Sequence, residues 1–242
     1  MSMTEYDTRM GTLYVLPSEI SLKTGISCIP DGTKQVYKKI RKYLVEDVRT
    51  ARRFISSLKL GLTIEELEFE IINKKTKFED LQELMSPLLN GEDMGVMSEA
   101  GCPGIADPGA LAVEFAHQFN IRVVTLVGPS SILLALMGSG LNGQSFTFHG
   151  YIPIDKTSRI KRIKELEKLS LKLNQTQIFI ETPYRNEALF NDIVKTCQNA
   201  TRLTVACDLT GENELLRTWT IGTWKKQKPD IKKRPTVFLI HA

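Results

Sequence analysis

The sequence has few of the residues from which metal sites and disulfide frameworks are built. Among its 242 residues there are four cysteines and three histidines. None of the cysteines belongs to a Cys-x-x-Cys motif, the spacing typical of structural zinc sites. We therefore expect no metal and no disulfide framework. Reduced cysteines of this kind fit a cytoplasmic protein best.

Long apolar runs are also missing. No stretch approaches the roughly 18 apolar residues that a membrane-spanning helix needs. The first residues, "MSMTEYDTRM", lack the apolar core that a signal peptide contains. These absences predict a cytoplasmic protein without a membrane partner.

Several motifs of nucleotide and acyl chemistry are absent as well. There is no Gly-x-x-x-x-Gly-Lys-Ser/Thr loop, no Gly-x-Gly-x-x-Gly after the first predicted strand and no Gly-x-Ser-x-Gly elbow. These absences argue against a P-loop NTPase and a standard NAD site. Aromatic residues make up only 7% of the chain, so no base-stacking platform for single strands is visible.

Basic residues are present in clusters, although the formal net charge is only +4. The three clusters, here called the basic runs, cover residues 38–53, 156–172 and 225–234. Each run alone is typical of a solvated helix face or loop. Together they also fit a polyanionic partner such as RNA. The sequence leaves both interpretations open.

Strand and helix patterns alternate in the first half of the chain. This alternation predicts a mostly parallel sheet covered on both faces, in an N-terminal α/β domain of residues 1–127. One of its helices, "ALAVEFAHQF", is followed by Asn120, which suits a C-terminal cap. Residues 63–90 read as polar helices or irregular pieces. In residues 128–242 strands follow one another at the end without a helix, which predicts a mixed sheet in a C-terminal α/β domain.

One loop stands out where ligands bind in open parallel sheets, beyond the carboxyl end of a strand. It is "SEAGCPGIADPG", residues 98–109, between the predicted strand "MGVM" and a helix. Its glycines allow close backbone approach and its prolines hold amides in place. Glu99 and Asp107 argue against a phosphate and suit a cationic ligand or sugar hydroxyls. The alternative is a tight connection in which Asp107 caps the helix.

Five ordered motifs carry a resemblance to a known family. They are "SEAGCPGIADPG", "VGPSSILLALMGSGL", "FHGYIP", "IFIETPYR" and "VACDLT". On these motifs the chain resembles the tetrapyrrole methylase family, and most closely its small-subunit ribosomal RNA cytidine 2'-O-methyltransferase branch. The branch has Pro-Ile-Gly-Asn-Leu after the first strand, whereas this chain has Pro17-Ser18-Glu19-Ile20-Ser21 and so lacks the glycine and the asparagine. It also departs from the branch in the lengthened connection that follows, and at Cys102 and Ala106. The departures lie where an acceptor would approach.

The resemblance implies a two-domain tetrapyrrole-methylase-like fold that binds S-adenosylmethionine in the cleft between its domains. It also implies a homodimer and no metal. The donor-binding positions that it implies are Pro17, Ser98, Glu99, Ala100, Gly101, Ile105, Gly128, Pro129, Ser130, Ser131, Thr182, Ala206 and Pro235.

Methyl transfer to a ribose hydroxyl requires a group that takes the hydroxyl proton. Asp47 and Glu46 are candidates for this catalytic role, with Arg49 positioning a phosphate or stabilising the oxyanion. The alternative for these residues is a helix cap and a surface ion pair. Glu181 and Arg185 are second candidates, and their alternative is an ion pair between the domains.

Three functions remain open at this point. The first is S-adenosylmethionine-dependent methylation of a ribose 2'-hydroxyl in small-subunit ribosomal RNA. The second is methylation of a tetrapyrrole or other small molecule by the same fold. The third is a binding protein that kept the fold and lost turnover. Fold alone does not separate them.

Overall fold

The computed structural model describes residues 10–242. The chain divides after Ser130 into two compact parts. We call the described residues 10–130 unit 1 and residues 131–242 unit 2. The boundary that the sequence predicts after residue 127 stays a prediction.

Unit 1 is built on a five-stranded sheet with the strand order β3-β2-β4-β1-β5. Every neighbouring pair of strands is parallel, as the sequence predicts. All four residues of the central strand β4 are buried, as expected for a strand covered on both faces. The strands are β1 (Thr12–Leu16), β2 (Lys42–Val45), β3 (Glu68–Ile71), β4 (Met94–Met97) and β5 (Arg122–Thr125).

Six helices pack around this sheet and bury two apolar clusters. They are α1 (Gly25–Cys28), α2 (Asp31–Lys39), α3 (Val48–Ser57), α4 (Leu81–Leu84), α5 (Ser86–Leu89) and α6 (Gly109–Gln118), with 3-10 turns at Ile64–Glu66 and Phe78–Asp80. Helix α6 ends as predicted, with Asn120 in the left-handed region at φ 55°. The Asn120 and Ile121 amides donate to the carbonyls of His117 and Ala116, the pattern of a Schellman cap.

The prediction of polar helices or irregular pieces for residues 63–90 is wrong at Glu68–Ile71, which form edge strand β3. Acidic and apolar residues alternate strictly from Glu66 to Ile71, and this period of two is the signal of a strand. The alternation places Phe69 against Tyr43, with ring centroids 5.4 Å apart. Packing against β2 therefore decides the conformation of this segment.

Unit 2 contains a mixed sheet with the order β6-β7-β10-β8-β9, as predicted. Strands β6 and β7 are parallel and the other neighbours are antiparallel. A short helix, α10, stands between β9 and β10, where no helix is predicted. The strands are β6 (Phe146–Tyr151), β7 (Thr176–Ile180), β8 (Arg202–Cys207), β9 (Leu215–Thr220) and β10 (Thr236–His241). The helices are α7 (Ser131–Ser139), α8 (Lys156–Leu173), α9 (Asn186–Thr196) and α10 (Ile221–Trp224).

Candidate active site

The register of the unit 1 sheet brings three predicted site segments to one level. Met97 at the end of β4 pairs with Leu16 of β1 on one side and with Val45 of β2 on the other. The next residues along the three strands are Ser98, Pro17 and Glu46. Because parallel strands end at the same edge of a sheet, these residues leave it side by side.

The loops after β1, β4 and β5 contact one another closely at this edge. The Ser18 amide donates to the Gly101 carbonyl at 2.9 Å, and the Ser18 hydroxyl donates to the Ser98 carbonyl at 3.0 Å. A Cβ at Gly128 would lie 2.2 Å from Cγ of Pro17. Only glycine therefore fits at position 128. We call the contacting loops after β1, β4 and β5 the glycine cradle.

Helix α2 fixes the glycine cradle from one side. The Tyr37 hydroxyl donates to the Pro17 carbonyl at 3.1 Å, and the Thr33 hydroxyl donates to the Val127 carbonyl at 2.8 Å. Cys102 occupies a position where the family that the sequence resembles has a hydroxyl residue. Its thiol donates a hydrogen bond to the Pro129 carbonyl at 3.4 Å. Burial raises the pKa of this thiol, which keeps it protonated and able to donate.

Asp107 satisfies the backbone of its own loop. One carboxylate oxygen accepts from the amides of Gly104 and Gly109 at 2.9 and 2.7 Å, and the other accepts from Ile105 at 3.2 Å. These contacts support the alternative that Asp107 is a local cap, and they occupy the Ile105 amide. The Ile105 side chain is 53% exposed.

A pocket opens where β2 and β4 end. Its wall carries four carboxylates and one cation, so a phosphate would be repelled there. Of the predicted catalytic residues, Glu46 and Asp47 line it, whereas Arg49 is exposed and lies outside the lining. The lining residues are Ser18, Glu19, Ile20, Leu22, Val45, Glu46, Asp47, Thr50, Ala51, Arg53, Phe54, Met97, Ser98 and Glu99. We call this the acidic pocket.

Glu46 has the properties of a proton acceptor. It is half-buried, and one carboxylate oxygen accepts from the Glu99 amide at 3.3 Å. Burial raises the pKa of Glu46, and the negative charges of Asp107 and Glu99 raise it further. A carboxylate with a raised pKa is a stronger base than an ordinary one, which is what removal of a hydroxyl proton requires.

Asp47 is instead engaged as the cap of α3. One carboxylate oxygen accepts from the amide and the hydroxyl of Thr50 at 2.8 and 3.0 Å. These hydrogen bonds lower the pKa of Asp47, which weakens it as a base. The geometry therefore favours Glu46 over Asp47 for the catalytic role.

We expect Asp47→Ala to lower the free energy of unfolding by about 0.5–2 kcal/mol, because the α3 N-terminus loses its cap. Urea unfolding measures the change. Asp47→Asn is the matched variant, since asparagine caps a helix as well as aspartate does. Equal destabilisation by the two variants would contradict the capping role.

The lengthened connection after β1 supplies the outer wall of the acidic pocket. Glu19 closes this connection, because its carboxylate accepts from the amides of Thr24 and Gly25, each at 2.8 Å. Ile20 and Leu22 then lie along the pocket. Neither residue is predicted as a site residue from the sequence. The unusual length of the connection after β1 is the sequence feature from which Ile20 and Leu22 could have been predicted.

In unit 2 the register gathers three predicted donor-site residues at one end of the sheet. Val237 of β10 pairs with Ile180 of β7 and with Ala206 of β8. Thr182 follows β7 and Pro235 precedes β10, so both lie near buried Ala206 at this end. Ser130 is the last residue of unit 1, and Ser131 begins α7. The donor-binding roles of these residues stay predictions.

Glu181 and Arg185 pair with each other inside unit 2, at 2.6 Å between carboxylate and guanidinium. The alternative of an ion pair between the predicted domains is therefore wrong. The same carboxylate oxygen accepts from the Thr182 amide at 2.6 Å. Burial by itself would raise the pKa of Glu181, but the hydrogen bonds from Arg185 and Thr182 lower it overall. The pair thus holds the turn that carries Thr182.

The basic runs are not uniform solvated faces. In the second run, Arg159 is buried and donates from two nitrogens to one carboxylate oxygen of Asp192, at 2.8 and 2.6 Å. In the first run, Lys42 pairs with Glu68 and Glu92. The charges of Arg159 and Lys42 are therefore already engaged within the fold.

Residues 10–242 contain no group of three or more histidine, cysteine, aspartate or glutamate side chains placed to hold a metal ion. Nor does any helix in this part of the chain have the length and apolar character to cross a membrane.

The chain is similar in sequence to several bacterial proteins and similar in fold to several solved structures. The chain is 28% identical to "Ribosomal RNA small subunit methyltransferase I" of Vibrio cholerae, over 95% of this chain and 77% of the relative. It is 28% identical to the protein of the same name from Xylella fastidiosa, over 95% and 80%. No family model matches.

Among solved structures, the methyltransferase CobJ matches with a TM-score of 0.63 and 12% identity, over 96% of this chain and 93% of that one. Uroporphyrin-III-C-methyltransferase from Thermus thermophilus matches with a TM-score of 0.57 and 14% identity, over 96% and 92%. The predicted two-part α/β fold of the tetrapyrrole methylases is therefore confirmed.

Fold and relatives together define the class: the protein is a methyltransferase with the fold of the tetrapyrrole methylases. Within that class, the sequence relatives that cover most of the chain are the bacterial proteins named ribosomal RNA small subunit methyltransferase I. The resemblance stated from the sequence motifs is confirmed by these relatives.

Proposed function

We propose that the protein transfers a methyl group from S-adenosylmethionine to a ribose 2'-hydroxyl of small-subunit ribosomal RNA. The observation that carries the proposal is Glu46, a half-buried base with a raised pKa in a pocket beside the glycine cradle. The names of the relatives support ribosomal RNA as the acceptor.

The glycine cradle has the properties that the donor requires. At Gly128 the backbone packs directly against the Pro17 ring, where a Cβ would lie 2.2 Å from Cγ of Pro17, and Gly101 adopts φ +75° beside the Pro129 carbonyl. Such bare backbone lets a ligand approach its amides and carbonyls. The neighbouring carboxylates of Glu46 and Glu99 favour a cation, and the donor carries a positive sulfonium.

S-adenosylmethionine supplies an electrophilic methyl group when it is bound. In the transfer, the bond between the hydroxyl oxygen and the methyl carbon forms as the carbon–sulfur bond breaks. Glu46 accepts the hydroxyl proton, which makes the oxygen a better nucleophile. Ser18, Ser98 and the α2 hydroxyls hold the surrounding loops, so the reacting groups stay aligned. Arg49, exposed beside this edge, positions an RNA phosphate.

Titration with S-adenosylmethionine should raise the thermal unfolding midpoint. At about 100 times its dissociation constant, a ligand that binds only the folded state stabilises it by roughly 2.7 kcal/mol. S-adenosylhomocysteine, which lacks the sulfonium charge, is the matched ligand and should give a smaller shift if the acidic pocket attracts that charge. The absence of any shift with both ligands would overturn the donor assignment.

The acceptor is tested with labelled donor and unmodified small ribosomal subunits. Label in RNA that resists alkaline hydrolysis at the modified position supports a ribose 2'-oxygen. A shift with the donor but no label in RNA favours the alternative function on a tetrapyrrole or other small molecule. Donor binding without transfer to either class of acceptor favours a protein that has lost turnover.

Two further features belong to the same proposal. The protein is a homodimer, which light scattering in solution tests by its mass. It is cytoplasmic, as its proposed ribosomal substrate requires, and fractionation of cells tests that location.

A further inference from the structure

A groove in unit 2 is lined by four lysines and by no acidic residue. It lies between α9 and the segment that continues from α10, at the start of the third basic run. Phe190 and Trp224 form its buried floor, with ring centroids 5.4 Å apart. The lining residues are Phe190, Asn191, Val194, Lys195, Trp224, Lys225, Lys226, Gln227 and Lys228. We call it the lysine groove.

The lysines of the groove differ in their partners. Lys225 donates to Asn199 at 2.7 Å, and Lys228 pairs with Glu187 at 3.2 Å. Lys195 and Lys226 are exposed, and throughout residues 10–242 neither of them forms an ion pair. Neither charge is therefore neutralised by a direct ion pair, and a concave surface with an excess of positive charge concentrates anionic ligands.

We propose that the lysine groove binds the phosphate backbone of RNA. This inference rests on the proposed function and adds a surface in unit 2 for the same substrate. The lining of the acidic pocket in unit 1 carries four carboxylates and repels phosphates, so apart from Arg49 the RNA backbone needs its cationic contacts elsewhere. Lysine ammonium groups act as point charges and suit phosphate oxygens.

The floor of the groove also defines how RNA is bound. Trp224 is only 2% exposed, and its indole nitrogen donates to the Leu203 carbonyl at 2.9 Å. A buried ring offers no face on which a base can stack. Binding therefore depends on phosphates and not on base identity, and it weakens as salt concentration rises.

The test is the double variant Lys195→Gln with Lys226→Gln. Binding of a short fluorescein-labelled RNA is measured by anisotropy between about 50 and 200 mM salt. Because the variant lacks two cations that neutralise phosphates, the slope of log K against log salt should become shallower by about 1.4–1.8. The matched control is Lys59→Gln with Lys75→Gln, which removes the same charge from exposed lysines of unit 1 outside the basic runs. This control should leave the slope unchanged.

Other outcomes separate this inference from the proposed function. If both double variants change the slope equally, net charge explains the effect and the groove assignment is overturned. If the groove variant keeps RNA binding but loses binding of polyglutamate, the occupant is an acidic protein and the assignment is again overturned. Methyl transfer to RNA that persists in either case leaves the proposed function standing. Absence of transfer by the unaltered protein overturns the proposed function instead.

Discussion

Replacing Glu46 with glutamine is expected to slow methyl transfer by about 10²- to 10⁴-fold, the usual contribution of a general base. Glutamine keeps the size of the side chain and can still accept from the Glu99 amide, but it cannot take the hydroxyl proton. Donor binding should weaken but persist, because Glu19, Asp47 and Glu99 keep their carboxylates in the acidic pocket. Single-turnover rates with labelled donor measure the first effect, and the donor-induced shift in thermal midpoint measures the second.

The pH dependence gives this prediction a second readout. Because the pKa of Glu46 is raised in the folded protein, the rate should rise with pH as the carboxyl ionises. That limb should lie above the ordinary pKa of glutamic acid, and it should be absent from Glu46→Gln. A pH profile shared by the two proteins would contradict the assignment.

The same raised pKa has a consequence for stability. The folded protein holds the Glu46 proton more tightly than the unfolded chain does. The contribution of Glu46 to the free energy of unfolding therefore falls as pH rises from the unfolded pKa through the folded pKa. Glu46→Gln removes this fall and should be at least as stable as the unaltered protein at neutral pH. Glu65→Gln, at an exposed position of unit 1, is the control and should change neither rate nor stability.

Gly128→Ala should both destabilise unit 1 and abolish the donor-induced shift. The added Cβ would lie 2.2 Å from Cγ and 2.3 Å from Cβ of Pro17. The ring of Pro17 cannot rotate away, so the loops after β1 and β5 must separate. Overpacking of this kind costs about 1–3 kcal/mol, which urea unfolding measures. Calorimetry with S-adenosylmethionine measures the loss of binding.

Gly32→Ala is the matched control for this substitution. A Cβ at Gly32 meets nothing within 4 Å, and the residue lies in helix α2 of the same unit. Alanine there should be neutral or stabilising by about 0.5–1 kcal/mol. Unchanged donor binding by Gly128→Ala would show that the glycine cradle is not part of the donor site.

Much of the fold follows from local patterns. The alternation of apolar strands and amphipathic helices predicts the parallel sheet of unit 1, and the run of strands towards the C-terminus predicts the mixed sheet of unit 2. Asn120 marks the end of α6 correctly because a left-handed cap has a local sequence signal. The pattern is misread at β3, where the charged residues obscure a strict period of two.

The candidate site is only partly visible in the sequence. Polar and glycine-rich segments after strands indicate which loops face a ligand, because side chains beyond the end of a strand are not buried in the core. In the sequence, Glu46 and Asp47 are equivalent neighbours. The structure separates them, since Asp47 caps α3 while Glu46 lies against the Glu99 amide.

By itself, then, the sequence determined the fold class, the loops at the strand ends and the resemblance to methyltransferases, because periodicity and motifs are properties of contiguous residues. Only the tertiary structure decided which groups meet. Strand register places Glu46 beside Glu99, and the packing of α9 near α10 brings Lys195 to Lys226. Burial and the charges of residues distant in sequence set the pKa of Glu46, and residues distant in sequence also give the lysine groove its positive charge. Neither property is encoded in residues that are adjacent along the chain.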